Sequence, residues 1–539
     1  MTTVSSLAAV NAAPSNTEQA PFDMFVIGGG VNGCAIARDA AGRGLSVALA
    51  EKGDLAQATS SKSTKLFHGG LRYLEYGEIG LVRAALQERE VLLDAMPHIA
   101  KPMRFVLPLS PDMRFDLNTP VSRILSVLMP WTKGRRPSWM IRMGLWLYDH
   151  MGKRQMLAAT HTLDLTASPE GPPLKPTFKR AFEYSDVWVD DARLVVLNAL
   201  DALEKGAKIM TNSEVISAQR DNGLWRVEVA GHDTVFARTL INAGGPWVTD
   251  IIKDIAHMSP DANVRLVRGS HIITRKLYDH DKAYFLQGTD GRIIFLIPYE
   301  TDFTLIGTTE APQTDDPLRA KISPDERQYL LDFANSYLNT PVTASDIIHD
   351  YAGVRALFED GASSTTAATR EYVLRLDTDG APLLNVFGGK ITTHRKLAED
   401  VLGKLSDHLT MEPSWTARAP LPGGDFPVGR HPEQAQSLIH AHPYVTSDHA
   451  ARLVRQYGRR AGDVFEGVIA PSDMGIHFGA TLYECEVKYL ISQEFARTAQ
   501  DIIWRRTKLG LRLDADQVAT LDQWIQDNLE GLLPYANTA

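Results

Sequence analysis

Runs of apolar residues separated by polar turns divide the chain into three regions of different periodicity. The apolar run Met24 to Ile27 predicts a buried strand, followed by a helix and a second strand, Ser46 to Ala50. Between about 263 and 310, short β-rich runs follow one another without helices, which predicts an antiparallel sheet that 347–357 extends. From about 410 the chain reads as helical. The pattern therefore predicts an α/β region, an inserted antiparallel sheet and a C-terminal helical region.

The first strand ends in a glycine-rich turn. Gly28, Gly30 and Gly33 have the G-x-G-x-x-G spacing between a strand and a helix, and the second strand ends at Glu51. Such glycines let the backbone approach a pyrophosphate at the helix N-terminus, while the acid accepts hydrogen bonds from ribose hydroxyls. An acid at this position argues against a 2′-phosphate. We therefore expect FAD or NAD rather than NADP, and the glycines alone do not separate those two.

Two later strands also run into glycine pairs. Leu240 to Ala243 leads to Gly244-Gly245, and Leu383 to Phe387 leads to Gly388-Gly389, each before a helix. A glycine pair there again lets the backbone come close to a cofactor. The loop 58–74 is crowded with hydroxyl-bearing and small residues. It is suited to lie along a long cofactor, and an exposed linker is the alternative.

Composition narrows the class of protein. A chain of 539 residues predicts about two or three domains, and 44% hydrophobic with 22% charged residues is typical of globular proteins. The net charge of −9 provides no basic footprint, so no nucleic-acid partner is expected. Two cysteines, Cys34 and Cys485, fit a reducing compartment. No metal site is expected, because the C-terminal histidines lack the spacing of metal ligands. These histidines are His431, His440, His442, His449 and His477.

Two segments bear on location. Residues 1–20 contain no Lys or Arg, which predicts a disordered leader rather than a secretory signal. No stretch approaches 18 uninterrupted apolar residues, so no transmembrane helix is expected. Residues 121–156 interleave basic residues with Trp and Met, a profile typical of a helix or loop in a membrane interface. The alternative is a partly buried segment with a charged solvent face.

We expect a discontinuous domain organisation. The predicted units are a leader (1–20), a cofactor domain (21–90, 180–260 and 345–405), a substrate domain (91–179 and 261–344) and a helical domain (410–539).

These motifs, taken in order, resemble the FAD-dependent glycerol-3-phosphate dehydrogenases, which are membrane-associated respiratory enzymes. The resemblance spans about 22–510. Its motifs are Ile27-Gly28-Gly29-Gly30 with Asp39 and Arg43-Gly44, Thr59-Ser60-Ser61, His68-Gly69-Gly70-Leu71-Arg72-Tyr73, Asn242-Ala243 with Gly245-Pro246-Trp247, Gly353-Val354-Arg355, Gly388-Gly389-Lys390, and Asp501 with Arg505-Arg506-Thr507-Lys508-Leu509-Gly510. Ala35 departs from the family's usual Gly, and His394 from its usual Tyr.

The resemblance implies a fold and an activity. The implied fold is a Rossmann-like FAD-binding α/β domain with an inserted antiparallel β-sheet substrate domain, of the glutathione-reductase or D-amino-acid-oxidase type, plus a C-terminal all-α domain. The implied reaction oxidises sn-glycerol 3-phosphate to dihydroxyacetone phosphate by hydride transfer to FAD, with electrons passed to a quinone. The implied location is the cytoplasm, peripherally attached to the cytoplasmic face of the inner membrane. An anionic lipid surface, met through 121–156, and a homodimer complete the expected partners.

The resemblance also implies roles for site residues. A dianionic phosphate requires cations, and Arg72, Arg355 and Arg370 are the candidates. His271 is the expected general base, His68 is its competitor, and Lys390 is expected to stabilise charge. Tyr73 is a candidate hydrogen-bond donor to the substrate. The expected cofactor contacts are Gly28, Gly30, Asn32, Gly33, Glu51, Thr59, Ser60, Ser61, Leu66, His68, Gly69, Gly70, Val215, Gly244, Gly388, Gly389, Lys390 and Thr392.

Other functions remain open at this point. An oxidase acting on the same substrate would pass its electrons to oxygen, and the Trp/Arg-rich segment favours a membrane partner over it. An amine or 2-hydroxy-acid oxidoreductase would need carboxylate recognition, which fits the candidate arginines less well. A non-catalytic flavin-binding scaffold is an alternative from another class, and it predicts bound FAD that substrate never bleaches.

Overall fold

The computed structural model describes most of the chain. Its described residues are 17–18, 20–71, 74, 77–110, 138–152, 154–260, 262–288, 292–359 and 371–533. Most of the predicted leader and residues 121–137 of the Trp-rich segment lie outside these ranges, as do Arg72, Tyr73 and Arg370.

The strands, in chain order, are β1 (Phe22–Ile27), β2 (Val47–Ala50), β3 (Leu66–Phe67), β4 (Ala100–Pro108), β5 (His161–Asp164), β6 (Arg180–Val189), β7 (Lys208–Met210), β8 (Val215–Asp221), β9 (Leu224–Val229), β10 (Val235–Asn242), β11 (Val264–Arg275), β12 (Ala283–Gln287), β13 (Ile293–Tyr299), β14 (Phe303–Gly307), β15 (Ala311–Pro312), β16 (Ile347–Phe358), β17 (Val373–Asp377), β18 (Leu383–Phe387), β19 (His477–Gly479) and β20 (Leu482–Tyr483).

The longer helices are α1 (Val31–Gly42), α2 (Ile79–Ala95), α3 (Ser138–Met151), α4 (Asp191–Glu204), α5 (Pro324–Tyr337), α6 (His394–Lys404), α7 (His431–Ala441), α8 (Ser447–Tyr457), α9 (Glu484–Gln493) and α10 (Ala515–Leu532). Short helical turns at Gly245–Trp247, Ile391–Thr393 and Asp501–Arg506 also enter the argument below.

The first sheet, here the parallel sheet, carries the glycine-rich turn. Its parallel strands have the order β7-β2-β1-β10-β18, with β17 antiparallel at the edge beside β18. Along β1, Met24 and Val26 face the core shared with α1, α4 and α6, whereas Phe25 and Ile27 face a second core on the opposite side. Burial on both faces explains why these strands read as continuous apolar runs.

The second sheet, here the mixed sheet, is assembled from distant parts of the chain. Its strands follow the order β15-β11-β14-β13-β12-β4-β6-β3, β16 also pairs with β11, and β5 pairs with β6. Most of these pairings are antiparallel, whereas β4 and β12 run parallel. Helix α5 and the apolar faces of β12 to β14 form one of its cores. The predicted antiparallel region, including its extension over 347–357, is confirmed by the pairing of β11 with β16.

The sheet places two strands differently from the expected domain boundaries. β6 and β16 lie in the mixed sheet, whereas the expected bounds of the cofactor domain included 180–260 and 345–405; for β16, the strand pattern of 347–357 had indicated the antiparallel sheet. β6 is buried along nearly its whole length and leads directly into α4, as a strand of a parallel sheet does. The boundaries at 180 and 345 therefore separate each of these strands from the sheet with which it pairs.

The C-terminal region packs helices α7 to α10 around a core of its own, with the β19–β20 hairpin at its edge. α8 has buried residues at Ala450, Leu453, Val454 and Tyr457, which is the helical spacing of a core-facing stripe. The predicted α-helical C-terminal region is thus confirmed, with a short hairpin added. Its link to the cofactor region is a set of buried ion pairs that is described below.

Candidate active site

A cavity of about 630 Å³ lies between the two sheets. It is lined by the turns that follow β1, β2, β10 and β18, and by strands β11, β12, β13 and β16 from the mixed sheet. The carboxyl ends of parallel strands are where open α/β sheets bind their ligands. The cavity therefore has one side made by the parallel sheet and another made by the mixed sheet.

The turn after β1 is shaped by glycines that leave no space for side chains. Gly28 has φ of +111°, and a Cβ there would lie 2.6 Å from the Ala243 carbonyl oxygen. A Cβ at Gly33 would lie 1.9 Å from the carbonyl oxygen of Gly28. Gly30 is less constrained, since its Cβ would meet Ser60 Oγ at 3.3 Å. The turn thus brings its backbone amides to the cavity surface at the N-terminus of α1.

Glu51 is fixed against this turn. The Gly29 amide donates to its Oε2 at 2.6 Å, and the Gly53 amide donates to its Oε1 at 3.0 Å. Burial raises the pKa of the Glu51 carboxyl, and the two amide hydrogen bonds oppose that rise. The carboxylate therefore faces the cavity at the end of β2 with its orientation set by backbone donors.

Asn32 joins the first turn to the last one. Its Nδ2 donates to the Gly388 carbonyl oxygen at 3.2 Å, across 356 positions of sequence. Its Oδ1 is buried and has no hydrogen-bond partner within the described residues. A buried acceptor that lacks a donor is costly. A ligand hydroxyl at this point of the cavity would satisfy it.

His271 lies on β11, on the mixed-sheet side, and is 1% exposed. Its Nε2 is 2.9 Å from Thr64 Oγ1, and its ring stacks on Tyr351 with centroids 4.8 Å apart. A Cβ at Gly307 would overlap the imidazole, so that glycine makes room for the ring. Burial, followed by the charges of Arg355 and Lys65, holds the pKa of His271 well below its usual range. The imidazole is therefore neutral near pH 7 and able to accept a proton.

Two cations, Arg355 and Lys390, line the cavity. Arg355 Nη1 is 3.4 Å from Glu310 Oε1, and Nη2 is 3.5 Å from Thr308 Oγ1, both long for charged hydrogen bonds. A Cβ at Gly269 would lie 3.0 Å from Arg355 Nη2, so the missing side chain leaves space for the guanidinium. Lys390 lines the cavity just before the turn Ile391–Thr393. The site can therefore neutralise an anionic group beside a neutral imidazole.

His68, the competing base, lies in the loop after β3 and also lines the cavity. The next residue is tied to a buried network, because the Gly69 amide donates to Tyr148 Oη at 2.8 Å. Tyr148 donates in turn to Asp186 Oδ1 at 2.7 Å, and Arg89 pairs with the same carboxylate. Tyr148 belongs to α3, so that helix helps to hold the His68 loop in place.

The structure brings most of the sequence-predicted site residues to one cavity. The residues that line it are Gly28, Gly30, Asn32, Glu51, Thr59, Ser60, Leu66, His68, Gly70, Val215, Gly244, His271, Arg355, Gly388, Gly389, Lys390 and Thr392. Gly33 and Gly69 instead pack behind it, against Gly28 and Leu86 respectively. Ser61 contributes its carbonyl oxygen to Lys65 Nζ at 3.1 Å.

Sequence reasoning missed several lining residues. Thr64 was within a loop that was singled out, but its partner His271 is 207 positions away. Glu310 and Thr308 follow β14, and their proximity to Arg355 depends on the pairing of β14 and β16 with β11. Phe285 and Phe295 add an apolar surface from β12 and β13. Their alternation within these strands was the available signal, but it did not indicate which face meets the cavity.

His394 occupies a structural position. Its Nδ1 is 2.7 Å from the Ile391 carbonyl oxygen, and its ring stacks on Phe67. Burial lowers the pKa of His394 to about 4. His394 is thus a neutral, buried histidine at the first position of α6. It does not line the cavity.

Comparison with known proteins gives the family. The protein-family model described as "FAD dependent oxidoreductase" matches residues 23–395. A second family model, "C-terminal domain of alpha-glycerophosphate oxidase", matches residues 414–529. A glycerol-3-phosphate dehydrogenase of Pseudomonas aeruginosa is 46% identical over 95% of this chain and 97% of its own. The chain belongs to the FAD-dependent glycerol-3-phosphate dehydrogenase family. The resemblance inferred from the motifs is thereby confirmed.

Two further comparisons describe the range of this family. A D-erythritol 1-phosphate dehydrogenase of Brucella abortus is 48% identical over 94% of this chain and 98% of its own. The solved structure of the Bacillus halodurans glycerol-3-phosphate dehydrogenase, complexed with FAD, has a TM-score of 0.69. It is 23% identical and covers 96% of each chain, so it supports the fold. The predicted fold class and FAD cofactor are confirmed.

The cavity fits FAD on its own geometry. The glycine turn offers amides at the N-terminus of α1 for a pyrophosphate, and Glu51 offers a carboxylate for ribose hydroxyls. The unpartnered Asn32 Oδ1 lies between the two glycine turns, where a polyol hydroxyl can donate to it. The chain is an FAD-dependent oxidoreductase, and these residues fit the groups that FAD presents.

The described ranges contain neither a candidate metal site nor a helix that could span a membrane. Within the described ranges, no three His, Cys, Asp or Glu side chains are grouped so as to hold a metal ion. In that same part of the chain, each helix is too short or too polar to cross a bilayer.

Proposed function

We propose that this protein oxidises sn-glycerol 3-phosphate to dihydroxyacetone phosphate, with electrons passed to a membrane quinone. The observation that carries the proposal is the neutral, buried His271 beside Arg355 in the cavity that fits FAD. FAD, when bound, accepts the hydride from C2 of the substrate. His271 takes the proton from the C2 hydroxyl, and the cations hold the phosphate.

The cations support a phosphate ester as substrate. The planar guanidinium of Arg355 lines the cavity, and its fork of N–H donors matches the geometry of phosphate oxygens. Lys390, which follows the glycine pair after β18, also lines the cavity. Relatives named glycerol-3-phosphate dehydrogenase, including one at 46% identity, support the same choice. The sequence candidates Arg72, Tyr73 and Arg370 remain proposed substrate contacts.

The neutral state of His271 supports its role as base. A general base must be unprotonated in the resting site, and a buried imidazole near two cations meets that requirement. Thr64 at Nε2 fixes the ring. The developing alkoxide would lie near Arg355 and Lys390, whose charges stabilise it. His68 remains the competitor because it lines the same cavity.

D-erythritol 1-phosphate is the second candidate substrate. The Brucella abortus relative that carries this name is 48% identical to the chain. Both compounds are polyol phosphates, so the same cations and base serve either one. They differ in length by one hydroxymethylene unit, and a direct comparison of flavin reduction by the two therefore separates these readings.

The surface of α3 supports a membrane-bound electron acceptor. Trp139, Met143 and Trp146 are 55%, 55% and 58% exposed, at a spacing that places them on one helix face. Leu145 and Tyr148 are buried on the other face. Two exposed indoles with a methionine between them on one helix face are typical of a surface that lies in a membrane interface. We infer peripheral attachment at the cytoplasmic face through this helix.

The substrate is tested by an anaerobic titration of the flavin absorbance. Glycerol 3-phosphate, D-erythritol 1-phosphate, glycerol and lactate are added separately to the purified protein. We expect glycerol 3-phosphate to bleach the flavin band at the lowest concentration, while glycerol and lactate leave it unchanged. Preferential bleaching by the erythritol ester would assign the second substrate, and a flavin that no compound bleaches would favour the scaffold reading.

The acceptor and the membrane surface are tested together. Reduced protein is mixed with a short-chain quinone or with oxygen, and faster reoxidation by quinone is expected. Sedimentation with anionic vesicles then compares W139S/W146S with I469S, which removes an 88%-exposed isoleucine from the C-terminal region. We expect only the double Trp variant to stay in the supernatant. Equal sedimentation of the two variants, or faster reoxidation by oxygen, would contradict the membrane proposal.

A further inference from the structure

The basic segment 505–508 of the C-terminal region is buried against the loops that form the cavity. Arg506 is fully buried and Lys508 is 5% exposed. The segment begins within the last residues of the short helical turn Asp501–Arg506 and is one of the motifs that the sequence analysis singled out. None of its side chains lines the cavity among the described residues, so the proposed reaction assigns it no role.

The first contact of this segment is with the loop after β2. Arg506 forms a two-point ion pair with Asp54, at 2.8 Å to Oδ2 and 2.7 Å to Oδ1. Arg505 pairs with the same carboxylate. Burial opposes ionisation of Asp54, but the two arginines outweigh it and lower its pKa. Asp54 follows Glu51 by three residues, so the C-terminal region holds the loop that carries the predicted ribose contact.

The second contact is with the start of α4. Lys508 Nζ lies 2.9 Å from Asp190 Oδ1 and 3.1 Å from Oδ2. The next residue, Asp191, accepts from Lys65 Nζ at 2.7 Å and from Ser63 Oγ at 2.7 Å. Lys508, Asp190, Asp191 and Lys65 thus form a buried group of two cations and two anions.

The loop that carries Lys65 also contacts His271, the candidate base. Thr64 lies between Ser63 and Lys65, and its Oγ1 holds His271 Nε2 at 2.9 Å. Lys65 and Lys508 both have left-handed backbone conformations, with φ of +61° and +60°. Residues other than glycine rarely adopt that conformation unless the surrounding contacts impose it. The surrounding contacts, which include these ion pairs, therefore impose the backbone conformation of both lysines.

We propose that Lys508 is a positioning residue that, through Asp190 and Asp191, fixes the loop 59–65 so that Thr64 orients His271 for proton transfer. The role of His271 as base rests on the proposed function, whereas the fixing of the loop does not. The C-terminal region would thus act on the active site without contributing a group to the cavity.

The experiment compares Lys508→Met with a matched control, Arg460→Met. Arg460 also joins the C-terminal region to α4, but it pairs with Glu204 at the opposite end of that helix. Hydrogen–deuterium exchange is measured in peptides covering 57–68 of the FAD-loaded proteins without substrate. The rate of flavin reduction by glycerol 3-phosphate is measured separately by rapid mixing. A third protein, D190N/K508M, removes both charges and keeps an Asn that can cap α4.

We expect Lys508→Met to raise exchange in 57–68 and to slow flavin reduction by about tenfold or more, because a small displacement of a catalytic group is costly. Arg460→Met should leave both readouts within about twofold of wild type. If Lys508→Met does not fold, D190N/K508M is used instead. The double variant lacks the Lys508–Asp190 ion pair but leaves no unpaired charge buried at these two positions.

Wild-type exchange in 57–68 in either folded variant would overturn the proposal. Slower reduction without higher exchange in these peptides would also overturn it, because the effect would not pass through the loop. The exchange comparison needs no substrate. If glycerol 3-phosphate fails to reduce the wild-type flavin, the proposed function falls while the exchange result still decides whether Lys508 fixes the loop.

Discussion

The two sides of the cavity are built on different principles. On the parallel-sheet side, the cavity wall is formed by the backbone of two glycine turns, Gly28 to Gly30 and Gly388-Gly389. On the mixed-sheet side, it is formed by side chains, among them His271 and Arg355 from paired strands. The glycine side is therefore sensitive to any added atom, whereas the mixed-sheet side is sensitive to which functional group is present.

The largest expected effect comes from adding one carbon to the glycine side. Gly33→Ala places a Cβ 1.9 Å from the Gly28 carbonyl oxygen, so the turn must move. We expect the purified protein to lose most of its FAD, measured as the ratio of flavin to protein absorbance. Gly403→Ala is the control, because Gly403 is also helical and a Cβ there meets nothing within 4 Å. Equal FAD content in the two variants would contradict the steric account.

The next effect removes a functional group from the mixed-sheet side. His271→Asn should lower the rate of flavin reduction by about 10²- to 10⁴-fold, the usual contribution of a general base. Its FAD content should stay near wild type, since His271 lies on the other side of the cavity. His68→Asn is measured in parallel as the competing base. A larger loss in the His68 variant than in the His271 variant would reverse their proposed roles.

A smaller effect is expected when the shape of a cation changes but its charge remains. Arg355→Lys loses the fork that matches phosphate oxygens, so KM for glycerol 3-phosphate should rise by about 10- to 100-fold with a smaller change in kcat. Arg220→Lys is the control, because Arg220 does not line the cavity. Its Nη2 lies 2.6 Å from Asp377 Oδ1. Wild-type KM in the Arg355 variant would remove this residue from the phosphate site.

The smallest effect is a displacement of the pH profile. Because the folded pKa of His271 is well below its usual range, the acid limb of the reduction rate should lie below about pH 6.5. Arg355→Met removes a charge that holds this pKa down, so its acid limb should move to higher pH. The measurement is rapid-mixing reduction between about pH 5 and 8. An acid limb that does not move would contradict the electrostatic coupling of the two residues.

The same depressed pKa has a consequence for stability. The unfolded chain binds a proton at His271 at higher pH than the folded protein does. The contribution of this group to stability is therefore present above the unfolded value of about 6.5 and is lost as the pH falls towards the folded pKa. Thermal unfolding of wild type and His271→Asn at several pH values should show the wild type losing more stability on acidification.

The glycine side could be predicted from the sequence because the residues that define it are close together in the chain. Gly28, Gly30 and Gly33 lie within six positions and have a steric reason for their identity, and Glu51 ends the next strand. The spacing, together with the strand before it and the acid after the next strand, therefore predicted the turn, the helix that follows it and a dinucleotide ligand. The fold class followed from strand periodicity for the same reason.

On the mixed-sheet side, the sequence predicted which residue types take part but not which residues they contact. His271 and Arg355 were chosen for their chemistry and their motifs, but the sequence did not show that Thr64 meets His271 or that Glu310 meets Arg355. These contacts depend on the register of β11 with β14 and β16, which no local pattern specifies. The expected cofactor domain began at 180 and so included β6, which pairs in the mixed sheet; as a nearly fully buried strand, β6 lacks the alternation that identifies an antiparallel strand.

The hydrogen bond between Asn32 and Gly388 also constrains the order of events during synthesis. β18, which leads to Gly388, pairs with β10 and completes the glycine side only after most of the chain has left the ribosome. Contacts of such long sequence separation form late and slowly. A nascent chain that ends before residue 388 therefore lacks one wall of the cavity that fits FAD.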